Sequence, residues 1–260
     1  MKKMFFLCLF ATVSNMIFAQ NMKSNDTPSI GAEGVITFEE KINLHRRLTD
    51  ESMKAMVPEF RTSNMMFYFK GEECMYKPDE NEEDEEANAG GGGGGMRFRR
   101  PQGETYRNLA TNKQLSTSEW AGKKYLIEDT LKQRAWKIGT ETKKVAGYEC
   151  TKATFRDTST KFQDKTINVD VIAWFAMDLP LAAGPQTFGS LPGLILEVDT
   201  NNGEMVMTAK KIEFKKIKDK DIAAPTKGEK ITQTELRKKR EEWIKANGGR
   251  GGAGRMIIRQ

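Results

Sequence analysis

The chain has 260 residues, 38% of them hydrophobic and 30% charged, with a formal net charge of +6. That composition supplies enough apolar surface for one large core and carries too much charge for a polytopic membrane protein. One His and three Cys exclude a site built from several imidazoles, and equally a zinc-finger ligand set.

In chain order, the first segment is a leader. Lys2 and Lys3 precede an apolar stretch at 4–13, and Ile17-Phe18-Ala19 closes it. This is the pattern of a secretory signal peptide over residues 1–19, with Gln20 as the mature N-terminus, and it makes the chain periplasmic. The apolar stretch is too short to span a bilayer, so no transmembrane segment is expected. Cleavage leaves Cys74 and Cys150 in an oxidising compartment. A disulfide between them and two separate buried thiols are both open readings there.

Short stretches of alternating apolar and polar residues follow, as strands of a half-buried sheet require. They lie at 35–42, 65–69, 74–76, 105–109, 124–129, 134–139, 148–155, 167–175, 194–198 and 205–212. In the first, Ile36, Phe38 and Ile42 line one face, and Lys70-Gly71 marks a turn between the next two. A short helix at 50–57 stops at Pro58. Residues 78–103 open with an acidic run and pass into a glycine tract from Gly90 to Gly95, the composition of a disordered loop inserted between strands. Near the end, Thr232 and Glu235 form a capping box for a basic helix at 231–247, and a disordered Gly/Arg tail occupies 248–260. The predicted fold is mainly β. Residues 31–222 form a single curved antiparallel sheet, or an open half-barrel or sandwich, with a C-terminal basic helix.

No catalytic constellation is legible. Ser190 stands in FGSLPG, where the adjacent Gly breaks the G-x-S-x-G spacing of a nucleophile elbow. His45 sits beside Arg46 and Arg47 and reads as an ordinary surface His. The glycine tract lacks the Lys-Ser/Thr ending of a phosphate loop, and the acidic run lacks the alternation of an EF-hand. Met65, Met66, Met205 and Met207 are of a type that suits Cu(I), but methionine at strand spacing reads as core. No catalytic residue, metal or cofactor is expected. The terminal GGRGGAGR is like the Arg-Gly tracts of RNA-binding proteins, yet an exported chain meets little RNA, so no nucleic-acid partner is expected.

One stretch differs in kind. Trp174, Pro180, Gly184, Pro185 and Phe188 lead into Ser190, Leu191, Pro192, Gly193, Leu194 and Ile195. The prolines fix φ, Gly193 permits a tight turn, and three apolar residues then enter a strand, so the run reads as a rigid, structural crossover. With GYECTKAT at 147–154 and the segment around Trp136, it resembles the GLPGLI family of exported Bacteroidota proteins over residues 31–215. The chain departs from that pattern at Ser190, where the family usually has Gly. The resemblance implies no catalytic residues. It implies a non-catalytic exported envelope accessory or binding protein, docking on a TonB-dependent outer-membrane receptor or another envelope protein. The alternative is a periplasmic carrier holding a lipid or other apolar ligand in the concave face of the sheet.

Overall fold

The computed structural model describes residues 33–48, 50–80, 103–162 and 165–247. The predicted leader at 1–19, residues 81–102 of the predicted acidic and Gly-rich loop, and the tail at 248–260 lie outside the described residues. The elements in chain order are β1 (Glu33–Asn43), α1 (Glu51–Lys54), β2 (Phe60–Lys70), β3 (Glu73–Pro78), β4 (Thr105–Asn108), β5 (Lys113–Trp120) and β6 (Lys123–Thr130). Then come β7 (Lys137–Val145), β8 (Tyr148–Phe162), β9 (Lys165–Ala176), β10 (Leu194–Thr200), β11 (Met205–Phe214), β12 (Glu229–Ile231) and α2 (Gln233–Asn247).

All twelve strands among the described residues belong to one open sheet, ordered β12-β6-β5-β4-β3-β2-β1-β11-β10-β9-β8-β7. Two meanders, β2 to β6 and β7 to β11, therefore stand side by side with β1 between β2 and β11. The mainly β fold with a C-terminal helix is as the alternation predicts. The sheet is mixed rather than purely antiparallel, because β12 returns to run parallel to β6.

Alternation sorts the side chains into two faces. Met65, Phe67 and Phe69 of β2 and Cys74 and Tyr76 of β3 join Ile36 and Phe38 in the main core, which β8 to β11 complete with Ala153, Phe175, Ile195 and Met207. Phe38 meets Phe67 and Tyr76 edge to face, with ring centres 6.3 and 6.2 Å apart. Register shifts between Ile195 and Glu197, which leaves Leu196 as an extra residue in β10. That bulge lets Leu194, Ile195 and Leu196 all be buried in succession. On the opposite face Val35, Met75, Tyr106, Leu115 and Leu126 are covered by Ile217 and Ile222, from the strap that leads from β11 to β12. The strap is pinned to β1 where the Lys215 and Ile217 amides donate to the Glu33 carbonyl and carboxylate at 3.1 and 2.7 Å.

The capping box of α2 forms as its spacing requires. The Glu235 amide donates to Thr232 Oγ1 at 3.2 Å, and Glu235 Oε2 accepts from the Thr232 amide at 2.8 Å. Met65 and Met207 lie in the core. The possible Cys74–Cys150 bridge is not formed: both are buried free thiols. They stand on β3 and β8, with β2, β1, β11, β10 and β9 between, and burial pushes both thiols up to about 11. No described helix is long and apolar enough to cross a membrane.

Candidate functional site

The crossover from β9 to β10, residues 177–193, folds down on the main core. Leu179, Ala183, Phe188 and Leu191 are buried in it, and Pro180 and Pro192 face solvent. The loop holds its own shape: Ser190 N donates to Ala182 O at 3.2 Å, Phe188 N to Pro185 O at 3.0 Å, and Leu194 N to Leu179 O at 2.8 Å. Gly184 is packed against Ile195 so closely that a Cβ would meet the Ile195 Cβ at 2.6 Å. Ser190, the departure from the resembled pattern, still takes the left-handed conformation that glycine adopts freely, with φ 63°. Its hydroxyl donates to Gly189 O at 2.6 Å and accepts from the Arg134 amide at 3.3 Å.

Three side chains, one from β4 and two from the segment between β6 and β7, grip this loop by its carbonyls. Arg107 of β4, 2% exposed, donates from Nη1 to Phe188 O at 2.5 Å and from Nη2 to Gly184 O. Arg134 donates to Thr187 O at 2.7 Å and Thr187 Oγ1 at 3.0 Å, and lies 4.8 Å from the centre of the Phe188 ring. Trp136 Nε1 donates to Gly189 O at 2.9 Å. Burial lowers both guanidinium pKa values, that of Arg134 to about 10, with the charge of Arg107 adding to the effect there. Arg107 Nε and Gln114 Oε1 are buried without a hydrogen-bond partner, although the two residues pair across β4 and β5.

A fourth anchor is anionic. Glu40 of β1, 2% exposed, accepts from Gln186 Nε2 at 3.0 Å and from the Tyr76 hydroxyl at 3.4 Å. Burial, then the Glu40 charge, push the Tyr76 phenol well above its usual range. Gln186 reaches the carboxylate from a left-handed position, φ 48°. Glu40 lies in the same alternating row as Ile36, Phe38 and Ile42, so a charge on the core face of β1 was readable from the sequence. Arg107 and Arg134 gave no such signal, because each is an Arg in an ordinary polar stretch.

Of the residues singled out from sequence, Gly184, Pro185, Phe188, Ser190, Leu191, Gly193, Leu194 and Ile195 come together in this seat, with Pro180 and Pro192 on its outer rim. Trp174 is placed apart, under Lys143, whose ammonium is 4.4 Å from the ring centre. His45 Nε2 lies 3.0 Å from the Val57 carbonyl and serves the α1 turn. Among the described residues no three His, Cys, Asp or Glu are grouped to hold a metal ion. The seat is a closed clamp that fixes the backbone of 184–190 and presents its rim to solvent.

Comparison with known proteins gives the chain a family. Residues 98–237 match the family model described as N-glycanase peptide, N-terminal domain. Two crystal forms of PNGF-II have a similar fold, each with a TM-score of 0.51, at 14% and 16% identity over 80% and 82% of this chain. The chain spans 33% of the length of those structures. No curated protein matches it. These findings correct the resemblance to the GLPGLI family: the motif residues 190–195 lie inside the matched span, and the family model they belong to is the N-glycanase one. The non-catalytic envelope accessory and the carrier reading are corrected with it, as is the exclusion of an enzyme, since the matched family is named for a glycanase. Those readings leaned on the resemblance and on the lack of a legible catalytic constellation, and neither decides the family.

Proposed function

We propose a function from the premise that the chain belongs to the family of the N-glycanase peptide, N-terminal domain. The chain takes part in N-glycan processing and engages N-glycosylated protein. One observation carries this reading. The matched span, 98–237, contains the whole crossover loop together with Arg107, Arg134 and Trp136, the side chains that hold it rigid. A loop fixed by one buried and two half-buried donors presents its rim without paying ordering entropy on binding, which suits recognition of a substrate.

The test compares one peptide with and without an N-linked glycan. The immobilised full chain is expected to retain the glycopeptide in preference to the bare peptide. Mass spectrometry of the same samples over time measures any loss of the glycan. Equal retention of both peptides with no glycan released would end the reading.

The leader read at 1–19 supports the periplasm as the compartment of this work. The exported protein is accordingly expected to begin at Gln20, which intact-mass measurement checks directly. An exported species that still carries residues 1–19 would remove the argument for the compartment.

A further inference from the structure

We propose that Trp243 of α2 and Trp120 at the end of β5 form a platform for a pyranose ring of an N-linked glycan. The proposal rests on the functional reading above for the identity of the sugar, and on the following geometry for the site.

Helix α2 lies on the β5–β6 hairpin through Leu236, Arg240 and Trp243, spaced i, i+4 and i+7. Leu236 is 1% exposed, in a cluster with Tyr125, Ile127 and Ile231, and it anchors the helix. Arg240 Nη2 donates to Ser118 Oγ at 2.9 Å. Trp243, the largest side chain of the helix, meets Trp120 with ring centres 5.9 Å apart at 84° and stays 49% exposed. Leu236 and Arg240 tie the helix to the hairpin, and the Trp243 indole leaves half of its apolar surface in water.

Two rings at right angles make a floor and a wall. A pyranose is a thick disc whose axial C–H groups form an apolar face and whose hydroxyls project from the rim. Its face can lie on one indole while its rim meets polar groups. Those groups are present: Ser118 shares the alternating face of Trp120, and the exposed Lys123 pairs directly with Trp120 across the hairpin. The turn that closes the hairpin, Ala121 at φ 50° and Gly122 at φ 74°, holds the two strand ends in register beneath the rings. A membrane or a partner helix would need a broad apolar area, whereas here two aromatics stand beside Arg240 and Lys123. One saccharide ring needs only one flat apolar face with donors beside it.

The experiment titrates the full chain with N,N′-diacetylchitobiose, the disaccharide at the asparagine-linked end of an N-glycan, and follows tryptophan emission. The wild-type signal is expected to shift and saturate. Trp243→Leu keeps an apolar contact on Trp120 and is expected to melt as wild type while binding at least tenfold more weakly. Trp243→Tyr restores a flat ring and is expected to recover most of the affinity. A wild-type chain blind to the disaccharide, or a folded Trp243→Leu that binds it equally well, overturns the platform. Glycopeptide retention by the same wild-type preparation decides separately whether the functional reading stands.

Discussion

Replacing Arg107 with methionine is expected to lower stability by about 3 kcal/mol and to loosen residues 184–190 before the sheet melts. Methionine keeps the apolar stem beside Phe67, whose ring centre is 5.8 Å from the guanidinium carbon. What disappears is the fork that serves the Gly184 and Phe188 carbonyls. Each buried carbonyl left without a donor costs about 1–3 kcal/mol. Relief from burying a cation, which burial already disfavours here, returns part of that. The net loss corresponds to a fall in melting temperature of roughly 6–12 °C for a chain of this size. Arg107→Lys should fall nearly as far, because an ammonium is a point donor and cannot bridge two carbonyls in a planar fork. Amide exchange at Phe188 and Ser190 locates the effect in the loop. Unchanged melting and exchange in Arg107→Met would show that the fork contributes nothing to the seat.

Gly193→Ala is expected to be as damaging, for a steric reason. A Cβ at this position would press on the Ala176 carbonyl oxygen and stand 2.8 Å from its carbonyl carbon and 3.1 Å from the Met177 Cα. All three obstacles are backbone at the end of β9, so none can swing aside as a side chain would. The cost falls at or above the upper end of the roughly 1–3 kcal/mol typical of overpacking. Leu194 and Ile195 follow at once and are buried, so any retreat of the turn withdraws them from the core. Gly139→Ala is the matched control: its nearest obstacle, the Lys152 carbonyl oxygen, is 3.5 Å away, an ordinary contact. Urea melts of the two variants should separate clearly. Equal stability of Gly193→Ala and Gly139→Ala would show that β9 yields at its end.

What was legible in the sequence followed the strength of each local signal. β1, the β2–β3 hairpin and the capped helix α2 have strict periodicity or matched turn chemistry, and each formed where it was expected. β5 was missed because Lys113–Trp120 buries only Gln114 and Leu115 and reads as polar. β12 was missed because three residues at a sheet edge carry almost no pattern. The stretch at 134–139 was placed early: Arg134 and Trp136 are spent on the crossover loop, and β7 begins only at Lys137. The crossover itself was readable from its prolines and glycines. Its grip was not, because a buried Arg paired with distant carbonyls leaves no trace in spacing along the chain. Nor could spacing alone assign the motif to the right family, since a tight Pro-Gly turn entering a strand is a mechanical solution available to many folds.

The position of β1 bears on how the chain reaches its native state. The first strand made is among the last to be fully placed. Its edge toward β11 stays empty until Gly34 can meet Phe214 and Ile42 can meet Met205, near the far end of the sequence. Each meander can zip up from neighbouring hairpins, but the seam between them has high contact order and should close late and slowly. Until then the two half-sheets expose raw edges that can recruit strands from other chains. The strap carrying Ile217 and Ile222 crosses that seam to deliver β12 to the outer edge of the first meander. Closing the centre and capping the rim thus both depend on the same late stretch of polypeptide, and a chain stalled before residue 205 would be left with the middle of its sheet unzipped.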